Sequence, residues 1–301
     1  MPDTMYELAD DVPELESPVL LYCLNGFMDA GHAGGGIVEH LLSTLEHREL
    51  ARFDVDRLID YRARRPEMHF NNGTFDDYAA PELKLYLLHD DVGAPFLLLA
   101  GMEPDFRWEA FTAAVIELIE RFGVRMSVGF HGTPAATPHT RPIGISGHGT
   151  RDGLVPEEQV LGMELRIPSS AGLLLQYRLG EAGRDAVGLV ARVPHYLSES
   201  EYPQSSLSLL RSLSSATGLL LPTESLVEAS EQAERLVHEQ VEGNEKVARV
   251  VEALETQYDA FAGGDARGNL VAELKTMPTA EEIGAEFERF LSDLEPPDES
   301  S

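Results

Sequence analysis

The sequence predicts an α/β protein built on a mostly parallel sheet. Short apolar runs alternate along the chain with longer segments whose apolar residues recur at helical spacing, which is the pattern of βαβ units. The clearest example lies between Pro95 and Thr150, where PFLLLA, a helical segment and VRMSVGFH follow one another. The unusual polar residues of this stretch fall in the loops after the two apolar runs. Since ligands of parallel sheets usually bind beyond the carboxyl ends of the strands, these loops are the first place to look for a site.

The composition excludes several classes of function. The 301 residues carry a net charge of −29, from 52 acidic against 23 basic side chains. Such a field repels nucleic acids, whose binding requires neutralised phosphates, and it also repels anionic membranes. No apolar run reaches the roughly 18 residues of a membrane span, and the acidic N-terminus lacks the features of a signal peptide. We therefore expect a cytoplasmic protein that binds neither nucleic acid nor membrane.

A glycine-rich loop follows the first predicted strand. After an acidic arm, residues 1–17, the apolar run 19–24 predicts a strand that is buried on both faces. Asp29 in the next loop can cap the following helix, and the glycines after it would let that helix pack closely on the sheet. The loop matches neither G-x-G-x-x-G nor the P-loop motif, so close packing is favoured over phosphate binding.

Three arginines, Arg62, Arg64 and Arg65, stand out in this acidic chain. In an extended strand Arg62 and Arg64 would share one face. They could bind an anion or pair with carboxylates of the chain, and pairing is favoured because a guanidinium and a carboxylate form two hydrogen bonds at once. The segments that follow predict a hairpin turn at NNGTF and a further strand at KLYLLH.

The two central loops hold the remaining candidate residues. Asp105 is predicted to be the N-cap of the helix that follows it. Glu103 then has no local role, and a functional site or a salt bridge to Arg107 or Arg141 explains it equally well. In the second loop two prolines fix the backbone around His139 and Arg141. That stiffness suits a binding site and a structural hydrogen-bond network alike.

No catalytic or metal-binding motif is complete. The segment around Ser146 is not G-x-S-x-G, and the histidines at 131, 139 and 148 lack the spacing of a zinc site. No cofactor-binding signature occurs, so we expect no cofactor and no metal. The candidate residues, for ligand binding or for structure, are the charged side chains of the loops: Asp29, Arg64, Glu103, Arg107, His139 and Arg141.

The second half of the chain ends in an acidic helical region. Residues 161–167 predict a short strand, followed by a helix, the strand AVGLVARV and an amphipathic helix that ends near Gly218. Two further segments with helical spacing are separated near Gly243, and a last helix is predicted from Thr279. The predicted domains are an acidic arm (1–17), an α/β core (18–222), a helical C-terminal region packed on the core (223–293) and a disordered tail (294–301).

Six segments, taken together and in order, resemble the proteasome assembly chaperone 2 family, particularly its bacterial members. They are GFMDAG (26–31), DYRARRP (60–66), GMEPDFRW (101–108), TPHTRP (137–142), VPHYL (193–197) and VEALETQYD (251–259). The resemblance implies a three-layer α/β/α sandwich similar to the phosphorylase/hydrolase-like fold of nucleoside phosphorylases. It also implies a homo-oligomer, with a trimer expected, and a non-catalytic role in protein binding or assembly.

The chain departs from this family at its end. Eukaryotic and archaeal relatives dock on the proteasome α-ring partly through a hydrophobic–Tyr–X tail, whereas this chain ends in DESS. We therefore expect an assembly-chaperone-like protein that lacks this docking tail. The alternative is an enzyme or ligand-binding protein for a small anionic molecule, nucleoside-like or phosphate-bearing, in a pocket at the carboxyl ends of the central strands. There the arginines would hold the anion, and His139 or Glu103 would move a proton.

Overall fold

The computed structural model describes residues 4–26, 28–160, 162 and 164–262; the predicted helix from Thr279 and the predicted tail lie outside these residues. The strands are β1 (Tyr6–Leu8), β2 (Val19–Asn25), β3 (His47–Phe53), β4 (Met68–Asn71), β5 (Thr74–Tyr78), β6 (Leu83–His89), β7 (Pro95–Met102), β8 (Met126–Ala135), β9 (Ile145–Gly149) and β10 (Ala186–Pro194). The α-helices are α1 (Ala33–Thr44), α2 (Trp108–Arg121), α3 (Ala171–Glu181), α4 (Pro203–Thr217), α5 (Glu224–Glu242) and α6 (Glu245–Ala262).

Eight strands form one mixed sheet in the order β1-β3-β6-β7-β2-β8-β10-β9. The four central strands β7, β2, β8 and β10 are parallel, and the outer strands pair antiparallel with their neighbours. Strands β4 and β5 form a separate two-stranded hairpin. The predicted α/β class with a large central sheet is confirmed.

Helices cover both faces of the sheet because the central strands are apolar on both faces. In β2, Leu21 and Cys23 belong to a core shared with α1 and α4, whereas Leu20 and Tyr22 belong to a core shared with α2 and α3. All four residues are at most 4% exposed. A strand buried on both faces reads as a continuous apolar run, which is why β2 could be predicted from its sequence.

The four parallel strands end at one edge of the sheet. Their last residues are Asn25 in β2, Met102 in β7, Ala135 in β8 and Pro194 in β10. The loops that follow contain four of the six segments that resemble the chaperone family. These four segments therefore lie at the carboxyl edge of the sheet, where parallel sheets commonly place their sites.

Three local predictions are wrong. Arg62 and Arg64 lie in a turn and a bend after the short 3₁₀ helix Val55–Arg57, not in a strand with both arginines on one face. Asp105 is not the N-cap of α2, since Arg107 occupies that position in a left-handed conformation with φ of 59°. The described residues within 161–167 contain no strand.

Other local predictions are confirmed. The NNGTF turn joins β4 to β5, with Asn72 and Gly73 at the positive φ values that hairpin turns require. Helix α4 ends at Gly218, which is also left-handed. One strand was not predicted: β1, within the acidic arm, pairs antiparallel with β3 at the edge of the sheet.

The C-terminal helices form the predicted hairpin, with α5 ending at Glu242 and α6 beginning at Glu245. On α6, Val251 and Leu254 are buried in a small apolar cluster with Tyr196, which follows β10. Helix α6 is therefore attached directly to the loops at the carboxyl edge. Among the helices of the described residues, none is both long enough and apolar enough to cross a membrane.

Candidate functional site

Asp29 holds the start of α1 against the sheet. Its carboxylate accepts hydrogen bonds from the backbone N–H groups of Gly34, Gly35 and Gly132, each at 2.8 Å. Asp29 therefore caps α1, as predicted, and in addition ties that helix to β8. A Cβ on Gly34 would lie 2.7 Å from Cys23 Sγ, so close packing on β2 requires a glycine there. The helix N-terminus that could receive a phosphate is occupied by a carboxylate of the chain itself.

Arg64 joins two loops by pairing with Asp105. Its Nη2 lies 2.7 Å from Asp105 Oδ1, and its Nη1 donates to the Glu103 carbonyl oxygen at 3.0 Å. The second carboxylate oxygen of Asp105 accepts from the N–H of Asp60 at 2.7 Å. The favoured interpretation, in which an arginine of this segment pairs with a carboxylate of the chain, is confirmed for Arg64.

Glu103 caps the start of α3. The side chain is 5% exposed, and its Oε1 accepts a hydrogen bond from the Ala171 N–H at 2.6 Å. Ser170, the N-cap residue, accepts from the Leu173 N–H at 3.1 Å, so two of the free amides of this helix are satisfied. Burial raises the pKa of Glu103, although the bond from Ala171 and the nearby charge of Arg64 act in the opposite direction.

His139 is buried against Tyr196. The Tyr196 hydroxyl accepts from the His139 backbone N–H at 2.7 Å and lies 2.7 Å from the ring Nδ1. Burial lowers the pKa of His139, which keeps the imidazole neutral near pH 7. Its Nε2 is buried without a hydrogen-bond partner among the described residues. The ring therefore lies within the packing between the loop after β8 and the loop after β10.

Arg141 attaches α6 to the loop after β8. Its Nε and Nη2 donate to the two carboxylate oxygens of Asp259 at 2.8 and 2.6 Å, and its Nη1 lies 3.3 Å from Glu255. The neighbouring Thr140 hydroxyl also contacts Glu255. These groups are partly exposed, so the pairs contribute to the position of α6 more than to the overall stability.

The candidate residues therefore do not form one site. Asp29 joins α1 to β8, Arg64 and Glu103 connect the loops near α3, and His139 and Arg141 contact Tyr196 and α6. Arg107 is the N-cap residue of α2. In the described parts of the chain, no group of three or more His, Cys, Asp or Glu side chains is placed to hold a metal ion.

Removal of the Arg141 charge is expected to loosen α6. The variant Arg141→Gln loses the two-bond contact with Asp259, and we expect faster amide hydrogen exchange along α6 with little change in the core strands. Arg151→Gln is the matched control, because Arg151 makes a similar two-bond contact with Asp185 on the opposite side of the fold. Equal exchange in α6 of the wild type and Arg141→Gln would show that the contact does not position this helix.

Acidification is expected to destabilise the protein through its buried histidines. Burial lowers the pKa of four of them, so the unfolded chain takes up protons before the folded chain does. Stability is therefore lost as the pH falls below the unfolded histidine value of about 6.5. We expect the melting temperature to fall between pH 8 and 5, and to fall less steeply in His139→Gln. Thr256→Gln on the exposed surface of α6 is the control, since it changes no titratable group and should keep the wild-type slope. Parallel slopes for wild type and His139→Gln would contradict this assignment.

A separate cavity lies between the sheet and α3, with a volume of about 330 Å³. Glu103 is the one candidate residue that lines it. Its other polar groups include His131, His148 and Gln176, which sequence reasoning did not select. The sequence of β8 contains one indication of this cavity. Alternation along the strand places Gly129, His131 and Thr133 on one face, and a central strand rarely has a face of small and polar residues.

Comparisons with known proteins agree with this architecture. The PAC2 family model matches residues 23–241. A Mycobacterium tuberculosis protein of unknown function is 43% identical with a TM-score of 0.85, and the match covers 89% of this chain and 95% of that one. A Corynebacterium glutamicum protein of unknown function is 38% identical with a TM-score of 0.81, covering 86% and 98%.

A further similar structure is a Mycobacterium tuberculosis proteasome-assembly chaperone homologue. It is 26% identical with a TM-score of 0.70, and the match covers 77% of this chain and 99% of that one. The search of curated proteins finds no match. The family model covers well over half of the sequence and includes five of the six segments. The chain therefore belongs to the PAC2 family.

Proposed function

We propose that this chain is a non-catalytic protein-binding protein of the assembly-chaperone type. The observation that carries the proposal is that the loop charges at the carboxyl edge are already bound within the chain: Asp29 by three amides, Arg64 by Asp105, Glu103 by Ala171, and Arg141 by Asp259. Groups engaged in this way support loops rather than reactions. The similarity to a proteasome-assembly chaperone homologue also supports a protein-binding role.

The proposal extends to the fold type and to self-association. We assign the α/β sandwich to the phosphorylase/hydrolase-like type, which the parallel centre and the antiparallel edges of the sheet support. We also propose a homo-oligomer, with a trimer preferred.

The β4–β5 hairpin supplies a surface for contact between copies. Its large apolar residues Met68, Phe70, Phe75 and Tyr78 are between 46 and 65% exposed, and the rings of Phe70 and Phe75 pack together with centroids 5.1 Å apart. Exposed apolar surface of this kind marks interaction sites. Its location on a hairpin outside the main sheet would let one copy reach another.

Sedimentation equilibrium tests the oligomer. We expect three times the 33.1 kDa mass of one chain, and a shift toward the monomer in the double variant Phe70→Ser/Phe75→Ser. Asp77→Ser, also on β5, is the control that should leave the mass unchanged. A wild-type monomer at micromolar concentration would reject the oligomer proposal.

Native mass spectrometry with purified proteasome α subunits tests the assembly role. We expect complexes of this chain with α subunits and faster formation of α-rings in its presence. Glu103→Gln should keep this activity, because the proposal gives Glu103 a structural role. Absence of both complexes and any effect on ring formation would reject a proteasome-assembly function.

The small-anion alternative receives less support. The cavity beside α3 lies near the predicted place, but no lysine or arginine among the described residues lines it. A phosphate-bearing ligand buried there would lose its hydration without gaining a cation.

A further inference from the structure

The floor of the cavity beside α3 is built from one row of residues across four strands. The strand pairing aligns Tyr22 of β2 with Gly129 of β8, Gly129 with Gly188 of β10, and Gly188 with His148 of β9. Two large rings therefore flank two adjacent glycines on the face that α3 covers. The missing side chains leave room for these two rings to lie over the backbone of β8 and β10 and to form the floor of the cavity.

The glycines are required by the two rings. A Cβ on Gly129 would lie 2.5 Å from Tyr22 Cζ, and a Cβ on Gly188 would overlap the ring of His148. Each ring therefore lies directly against backbone, which is possible only at a glycine. Gly172 and Leu173 of α3 line the opposite wall, so the cavity lies between the sheet and this helix.

Three polar side chains face the cavity with unused hydrogen-bonding capacity. Gln176 donates to the His148 carbonyl oxygen at 3.3 Å, and its Oε1 has no donor among the described residues. Neither His131 nor His148 forms a side-chain hydrogen bond to the described part of the chain, although both line the cavity. His131 and His148 are half-buried and Gln176 is 8% exposed, so their free polar atoms face the cavity rather than the close-packed core.

These polar groups are uncharged. Burial lowers the pKa of His131 and of His148, so both imidazoles are neutral near pH 7, and each then offers one donor and one acceptor. The carboxylate of Glu103 at the cavity wall is engaged by the Ala171 N–H. The polar groups that remain available are suited to a neutral partner.

The entrance is apolar. Met28, which is 40% exposed, and Ile167, which is 63% exposed, both line the cavity and reach the surface. A volume of about 330 Å³ falls at the lower end of the range for ligand pockets, about 300–1,000 Å³. A mostly apolar lining with a few directed polar groups is the usual composition of such pockets.

We propose that this cavity binds an uncharged, mostly apolar small molecule with an aromatic ring system and one or two hydrogen-bonding atoms. The rings of Tyr22 and His148, which lie over Gly129 and Gly188, form the contact surface for the ligand ring. The imidazoles and the carboxamide of Gln176 receive the polar atoms. The proposal does not depend on the assembly role, because it concerns the face beneath α3 rather than the hairpin.

Two dyes that differ by one charge provide the test. N-phenyl-1-naphthylamine is uncharged and carries one N–H donor, and 8-anilinonaphthalene-1-sulfonate has the same ring skeleton with a sulfonate added. Titration of the full chain should give saturable, one-to-one fluorescence enhancement with the uncharged dye. The sulfonate should bind at least about tenfold more weakly, since its charge would be buried without a cation. No saturable binding of the uncharged dye, or equal binding of both dyes, would overturn the proposal.

A blocking variant locates the binding. Thr133 lines the cavity near its entrance, and Thr133→Trp should weaken binding of the uncharged dye by about tenfold or more by filling the space. Thr256→Trp adds the same ring on the exposed surface of α6 and should leave binding unchanged. Unchanged affinity in a folded Thr133→Trp protein would place the dye elsewhere and reject this cavity.

Histidine NMR locates the binding without any variant. The ring signals of His131 and His148 should shift on addition of N-phenyl-1-naphthylamine, whereas the signal of the exposed His69 should not. Shifts confined to His69, or no shift at saturating dye, would contradict the proposal. This measurement remains decisive if Thr133→Trp fails to fold.

Discussion

Asp29→Ala is expected to lower the free energy of unfolding by about 3–5 kcal/mol. Three backbone amides lose a charged acceptor, each such bond contributes about 1.5–3 kcal/mol, and water that replaces the carboxylate recovers part of their sum. The three amides belong to α1 and β8, so their joint loss separates a helix from the sheet. Urea denaturation followed by circular dichroism measures the change.

Asn at position 29 separates the effect of charge from that of shape. Asp29→Asn keeps one acceptor oxygen, and we expect it to recover part of the lost stability. Glu39→Ala, on the exposed face of α1, is a control that should be close to wild type. A folded Asp29→Ala protein with wild-type stability would show that this carboxylate does not hold the helix and would restore it as a candidate ligand residue.

Glu103→Leu is expected to destabilise the protein by about 1–3 kcal/mol, because the buried Ala171 N–H at the start of α3 would lose its acceptor. Glu103→Gln keeps an acceptor oxygen on a side chain of the same length and should be at least as stable as wild type. Urea denaturation of the two variants tests the role of Glu103 as a helix cap. A cap needs only an acceptor oxygen for the Ala171 N–H, which Gln supplies and Leu does not.

The pH dependence gives a second test at this position. Burial raises the pKa of Glu103 in the folded protein above its value in the unfolded chain. The contribution of Glu103 to the free energy of unfolding is therefore fully present at low pH and is lost as the pH rises through the pKa of the folded state. Glu103→Gln removes this dependence, so its advantage over wild type should grow between about pH 4 and pH 7. Equal losses for the Leu and Gln variants at all pH values would contradict the cap.

Local patterns predicted much of the fold. The apolar run of β2, the NNGTF turn and the break near Gly243 each depend on neighbours in sequence, and all three are present. Gly218 ends α4 because its own conformation is left-handed, which the residue type indicates directly.

Partners distant in sequence could not be predicted. Glu103 contacts Ala171, 68 residues later, and Arg141 contacts Asp259, 118 residues later. Their residue types suggested pairing, but neither spacing nor periodicity identifies the partner. Asp105 failed as an N-cap for the same reason, since Arg64 and the Asp60 amide compete for its carboxylate.

The cavity escaped prediction because its key residues are glycines. Gly129 and Gly188 lie in apolar strands, where a single glycine only interrupts the run of apolar residues and does not indicate a cavity. Their alignment across β8 and β10 is a property of strand order and register. Strand order and register depend on the pairing of β8 with β10, in which Gly129 lies beside Gly188, about 60 residues later in the sequence.

Thermal denaturation with inorganic phosphate and with a nucleoside monophosphate tests most directly whether the loop charges hold the fold. Because those charges are bound within the chain, the melting temperature in millimolar ligand should match that in chloride of equal ionic strength. A bound anion at a hundredfold excess over its dissociation constant would instead add about 2.7 kcal/mol of stability. A saturable rise in melting temperature that is lost in Arg64→Gln would contradict the account.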